Sequence, residues 1–270
     1  MPAAAPDRTL KRLRHDIRVR QLDVAAIEDL TPKMRRITLA GPDLEGFDSP
    51  GHADHIKMFF SPDPDNPILP EAGPQGLAFP EGQRPQMRDY TPRAFDAQRL
   101  RLDIDFVLHG DEGPASAWAS QARIGQKAVI AGPRGSLIVP MTFDWYLLAG
   151  DETGLPAIAR RLEELPSGAP VIAVLEVADA AEEQVFETQA DLALHWVHRN
   201  GAAPGTTRLI SQKLTELEFP KGDAYAFIAS EANASRAAKA HLVDSREFNP
   251  EWVKAAGYWL HGVADAQEPH

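Results

Sequence analysis

The chain has 270 residues, enough for two domains, with 43% hydrophobic and 25% charged residues, the balance of an ordinary globular protein. Its net charge of −11 argues against nucleic acid as the main partner. No apolar run approaches the roughly 18 residues of a membrane span. With no cysteine, it has no disulfide, no cysteine nucleophile and no thiolate-held zinc or iron–sulfur centre. Redox chemistry would need a bound organic cofactor or a non-thiolate metal.

Residues 1–15 are basic and lack the apolar core of about 7–15 residues that marks a secretory signal. They read as a flexible tail on a cytoplasmic protein. Short alternating runs follow: DIRVRQLDV (16–24), RRITLAG (35–41), HIKMFFS (55–61), RLRLDIDFVLHG (99–110) and KAVIAGPRG (127–135). Punctuated by Pro and Gly, they predict an antiparallel β domain over 16–142. Residues 61–86 are rich in Pro and Gly, without period, and read as one long surface loop.

After Pro140–Asp144 the pattern changes. WYLLAGD (145–151) is a continuous apolar run suited to a buried parallel strand. Helical spacing over 153–166 puts Leu155, Ile158, Leu162 and Leu165 on one face. Strands at 170–178, 192–199, 224–230 and 255–262 alternate with helices near 206–217 and 233–245. This predicts a doubly wound parallel α/β domain over 143–262, then a tail over 263–270.

Five segments carry the candidate chemistry. In Arg88-Asp89-Tyr90-Thr91 the strand period puts Arg88 and Tyr90 on one face, where a guanidinium grips phosphate and a phenol stacks on a flat ring. His109-Gly110-Asp111-Glu112-Gly113-Pro114-Ala115-Ser116 runs from a strand into a helix expected at 115–122. Its Ala115 and Ser116 amides make an anion site at the helix start. Gly150-Asp151-Glu152-Thr153-Gly154 ends the first parallel strand, where α/β sheets bind ligands, with Thr153 a candidate helix cap. Ser230-Glu231 ends another strand, and Tyr258-Trp259 offers a stacking ring near the C-terminus. His52 and His55 flank Asp54 without an evident third ligand, so no metal site is expected.

In this order and spacing the segments resemble the siderophore-interacting protein family, flavin-dependent ferric-chelate reductases of the ferredoxin–NADP reductase-like superfamily. HIKMFF, MRDYTPR, LDIDFVLHGDEGPASAWA, AGPRGS, LLAGDETGLPAI and GYW all look like its signatures. The resemblance implies a Greek-key FAD-binding β-barrel followed by a NAD(P)H-binding α/β domain. It implies that Arg88, Tyr90, Thr91, Asp105, Val107, His109, Gly113, Ala115 and Ser116 hold FAD. Asp151, Glu152, Thr153, Glu231 and Trp259 would line the nicotinamide nucleotide path. Lys57 and Arg134 would meet an anionic iron chelate. Relatives often carry Arg where His261 stands, so His261 would be a weaker, pH-dependent third contact.

The expected activity is transfer of electrons from NADH or NADPH through FAD to Fe(III) in a siderophore, with no catalytic acid or base. The acids of Glu176–Glu183 lean toward NADH, while Arg160, Arg161 and Arg208 leave NADPH open. A monomer without membrane insertion is expected. Two alternatives stay open: a general NAD(P)H-dependent flavin reductase with another acceptor, and a non-catalytic siderophore- or flavin-binding protein.

Overall fold

In a computed structural model that describes residues 6–73, 76–109 and 113–263, the chain divides into two units. Lys11–Ile138 is the first; the second takes in residues 6–10 and 139–263.

The first unit contains eleven described strands and one α-helix, besides a short 3-10 turn at Pro42–Leu44: β1 (Lys11–Arg14), β2 (Val19–Thr31), β3 (Met34–Ala40), β4 (Ile56–Phe60), β5 (Glu71–Gly73), β6 (Gly76–Ala78), β7 (Gln86–Tyr90), β8 (Ala94–Asp96), β9 (Arg101–Val107), α1 (Pro114–Gln121), β10 (Lys127–Ala131) and β11 (Gly135–Ile138). Alternation drives the pairing. Ile37 and Leu39 of β3 and Leu102, Ile104 and Phe106 of β9 join one core with Ile56, Met58 and Ile130.

Seven strands form one antiparallel sheet in the order β7-β4-β10-β2-β3-β9-β8. Its two edges, β7 and β8, are joined by only residues 91–93. Laid flat, six inter-strand gaps would separate those edges by about 29 Å. Four Cα steps reach about 14 Å at most. The sheet must therefore curl, bringing these strand ends within about 14 Å of each other. Accordingly, the Tyr90 ring on β7 lies 4.4 Å, centroid to centroid, from Phe106 on β9.

Two expectations change here. Residues 11–14, read as part of a tail, form β1 and pair antiparallel with β11. The 61–86 segment is not wholly irregular, since β5 and β6 pair within it.

The second unit contains β12 (Trp145–Asp151), α2 (Leu155–Glu164), β13 (Pro170–Val177), β14 (Asp191–His198), α3 (Leu209–Glu216), β15 (Ala224–Glu231), α4 (Ala232–Ala240) and β16 (Val253–Trp259). The sheet is parallel, in the order β14-β13-β12-β15-β16. Every residue of β12 and β15 is buried, as their continuous apolar runs require. Trp145, Leu147 and Ala149 face Ile210, Leu214, Ala238 and Leu242 from α3 and the α4 segment. The opposite face meets α2: a Cβ on Gly150 would lie 2.9 Å from Ile158 Cδ1. Helices thus cover both faces. Leu155, Ile158, Leu162 and Leu165 are all buried, as their spacing predicts. The final strand starts two residues and ends three residues earlier than expected, and the last helix passes into a π turn over His241–Ser245.

Candidate functional site

In the first unit, Arg88 and Tyr90 do share a face, opposite Met58 and Ile56 of β4. Tyr90 is half-buried against the core. Burial raises its phenol far above the usual range, so it stays a neutral donor. Arg88 Nη1 donates to the Met87 carbonyl at 2.7 Å. Thr91 is buried at the turn that closes the sheet.

Asp105 has a different engagement from the one expected. Its two oxygens accept from Arg36 Nε at 2.7 Å and Nη2 at 2.8 Å, with Arg93 Nε at 3.8 Å. The carboxylate is buried and neutralised by these guanidiniums. Val107 ends β9 opposite Met34. His109 is exposed, and its backbone N–H donates to Ser116 Oγ at 3.1 Å. The Ser116 hydroxyl therefore ties the turn together. Gly110, Asp111 and Glu112 lie outside the described residues.

Gly113 precedes α1 with φ of +119°, a conformation that favours glycine. Among the described residues no side chain caps the helix, and Pro114 opens it. The Ala115 and Ser116 amides lie in the first turn of this helix, at its positive pole. This donor set — first-turn amides, Arg88 and Thr91, with the nearby Asp105 neutralised — fits a pyrophosphate-bearing ligand.

Lys57 pairs across the sheet with Asp89, Nζ to Oδ1 at 2.8 Å. It also stands in register with Ala131 of β10, three residues before the exposed Arg134. Asp54, between His52 and His55, accepts from Ser49 Oγ and Gly51 N at 3.0 Å and from Ser136 Oγ at 2.6 Å.

The second unit gathers its polar residues at the carboxyl ends of the parallel strands. Asp151 ends β12 and takes four donors. Oδ1 accepts from Thr153 N at 2.9 Å and Oγ1 at 2.5 Å; Oδ2 accepts from Glu231 N at 3.0 Å and Trp259 Nε1 at 2.9 Å. Burial, then the charge of Glu152, raises its pKa to about 6. Thr153 therefore serves Asp151, and Gly154 stands at the start of α2 without a side-chain cap. Gly150 and Gly154 answer to packing. A Cβ at either would lie 2.4 or 2.1 Å from the Ala229 carbonyl of β15.

Glu231 caps α4. Oε2 accepts from Asn233 N at 2.7 Å and Ala234 N at 3.0 Å, and Oε1 from Asn233 Nδ2 at 3.1 Å and His261 N at 3.3 Å. The exposed His261 ring lies 6.3 Å from that of Trp259. Glu152 grips Arg199 with both oxygens, one contact at 2.7 Å. Arg199 Nη1 also reaches Glu176 Oε1 at 3.5 Å, and Thr207 Oγ1 donates to Glu176 Oε2 at 2.7 Å. Burial raises the Glu176 pKa.

Sequence reading missed Arg36, Arg199 and Thr207. The one signal available was Glu176 itself, a charge inside the apolar run of PVIAVLEVA.

Residues 23–137 match the model of the siderophore-interacting FAD-binding domain, and residues 143–262 that of the siderophore-interacting protein. The chain belongs to the siderophore-interacting protein family. It is 37% identical to the NADPH-dependent ferric-chelate reductase of Escherichia coli, over 92% of this chain and 96% of that one. It is 33% identical to the ferric vibriobactin reductase of Vibrio cholerae, over 90% of each. A siderophore utilization protein from T. fusca superposes with a TM-score of 0.89 at 39% identity, covering 96% of this chain and 98% of that one. The ferredoxin reductase of carbazole 1,9a-dioxygenase, at 15% identity and a TM-score of 0.64, shares the fold.

Proposed function

We propose that this protein is a cytoplasmic FAD-dependent reductase that passes electrons from NAD(P)H to Fe(III) in a siderophore or other ferric chelate, releasing Fe(II). The observation that carries this reading is the donor set of the first unit, Arg88, Thr91 and the first turn of α1, in a chain whose relatives over 90–92% of its length include a ferric-chelate reductase and a ferric vibriobactin reductase.

FAD supplies the conversion between a two-electron donor and a one-electron acceptor. The α1 amides of Ala115 and Ser116 would hold its pyrophosphate. Arg88 would add charge, and Tyr90 and Thr91 would contact the ring. Gly113 keeps the backbone approach open. Asp105 acts one step back, holding Arg36 and Arg93. His109 and Val107 bound the same turn.

In the second unit, the strand-end cluster of Asp151, Glu152, Thr153, Glu231 and Trp259 would shape the nicotinamide nucleotide site. No residue needs to move a proton for electrons to reach iron, so positioning is the protein's contribution. Fe(III) prefers the hard oxygen donors of chelators more than Fe(II) does, and reduction loosens the complex. Lys57 and Arg134 of the first unit would draw an anionic chelate toward an acidic protein, and His261 stands in the second unit.

The test is a steady-state assay with a colorimetric Fe(II) trap. FAD-loaded protein with NADH or NADPH should reduce a ferric siderophore, and Arg88→Ala should release FAD and abolish turnover. Turnover that survives without FAD would refute the reading.

A further inference from the structure

In an open parallel sheet, a dinucleotide lies across the point where strand order reverses, here between β12 and β15. One half then extends over the carboxyl ends of β13 and β14. An acid there accepts from a ribose 2′-hydroxyl, whereas an arginine accommodates a 2′-phosphate. This chain has both, Glu176 and Arg199, and they face each other at 3.5 Å.

The arginine is not available as a phosphate receptor. Glu152 grips it with two contacts, Glu176 adds a third, and its side chain is 3% exposed. Two carboxylates on one guanidinium leave the cluster net negative. The surroundings add to this. Glu183 pairs with His198 at 2.8 Å, Asp179 caps the turn after β13, and Glu182 is buried beside it.

Two arginines that sequence left in contention point elsewhere. Arg160 pairs with Glu164 at 2.8 Å. Arg161 is buried under the Val139 and Pro140 carbonyls and over the Tyr146 ring, at the opposite end of β12. Arg208 is exposed and follows Thr207, whose hydroxyl is bound to Glu176.

We propose that Glu176 and the Glu152–Arg199 pair select a nucleotide with a free 2′-hydroxyl, making NADH rather than NADPH the preferred donor. A 2′-phosphate would meet two carboxylates and an arginine already committed to them. A 2′-hydroxyl can donate to Glu152, the most exposed member of the cluster at 16%, with the buried Glu176 adding negative charge behind it. This preference would differ from the donor in the name of the E. coli relative. It rests on reading the second unit as the nicotinamide nucleotide site.

The test is calorimetric titration of the FAD-loaded full chain with two redox-inert probes, ADP-ribose and 2′-phospho-ADP-ribose. ADP-ribose should bind at least about tenfold more tightly. Glu176→Ser and Glu152→Gln should each shrink that gap, while Arg208→Ala should leave it in place. Tighter binding of the phosphorylated probe to the unsubstituted protein would overturn the inference; its loss in Arg208→Ala would name Arg208 as the receptor. Failure of both probes to bind would overturn the nucleotide reading itself, and the inference with it.

Discussion

The indole N–H of Trp259 donates to Asp151 Oδ2 at 2.9 Å, tying the last strand of the parallel sheet to the central first strand across β15. The same oxygen accepts the backbone N–H of Glu231, so one carboxylate fixes three strand ends. Trp259 is further confined by the loop at Gly205, where a Cβ would lie 2.7 Å from its ring.

Asp151 should leave a pH signature. Burial, then Glu152, raises its folded pKa to about 6 from the usual 3.8. The folded state binds this proton more tightly than the unfolded chain. The cost of the ionised carboxylate is full above pH 6, falls as pH drops through 6, and is gone below the unfolded value. Between pH 7 and 5 the protein should gain about 1 kcal/mol relative to Asp151→Ser in urea unfolding. A difference that stays flat over that range would show that Asp151 does not titrate there.

The Arg36–Asp105 pair predicts an asymmetric response. Arg36→Met leaves a buried carboxylate without its bidentate partner and should cost about 3–5 kcal/mol. The double change Arg36→Met with Asp105→Leu should recover most of that loss. Denaturation of the three proteins tests this, and equal losses in single and double variants would contradict it.

Lys57 is partly neutralised by Asp89. Asp89→Asn should therefore strengthen the local positive field and raise kcat/KM for an anionic ferric chelate at low salt. Lys57→Ala should lower it. Both effects should shrink as ionic strength rises from about 0.01 to 0.15 M, where the screening length falls below about 10 Å. A salt-independent response would assign Lys57 a structural role alone.

Gly154→Ala should fail by sterics. The new methyl would stand 2.1 Å from the Ala229 carbonyl, which belongs to a fully buried strand and has no room to retreat. We expect a loss above about 3 kcal/mol or insoluble protein. A soluble variant of unchanged melting temperature would show that β15 can shift.

Much of this fold was legible because its residues obey short-range rules. β12 reads as buried from its apolar run, and α2 from the Leu155-Ile158-Leu162-Leu165 stripe. β1 was not legible: all four of its residues are exposed, so no alternation marks it. The hairpin of β5 and β6 is equally poor in buried residues. The curl of the sheet depends on which strands become edges, a nonlocal fact that the three residues after Tyr90 do not reveal. The site divides in the same way. Arg88 and Tyr90 share a face by strand period, and Ala115 and Ser116 open a helix by local pattern. The clamp on Arg199 joins Glu152 and Glu176, residues 47 and 23 positions away, and only the sheet brings them together.

The central claim is electron flow from a nicotinamide nucleotide to chelated iron on this chain. Anaerobic stopped-flow tests it most directly, mixing FAD-loaded protein with NADH or NADPH and then with a panel of ferric chelates. The account predicts bleaching of the flavin absorbance by the nucleotide, followed by its return together with Fe(II) on addition of a ferric siderophore. No bleaching with either nucleotide, or a bleached flavin that no ferric chelate reoxidises, would contradict it.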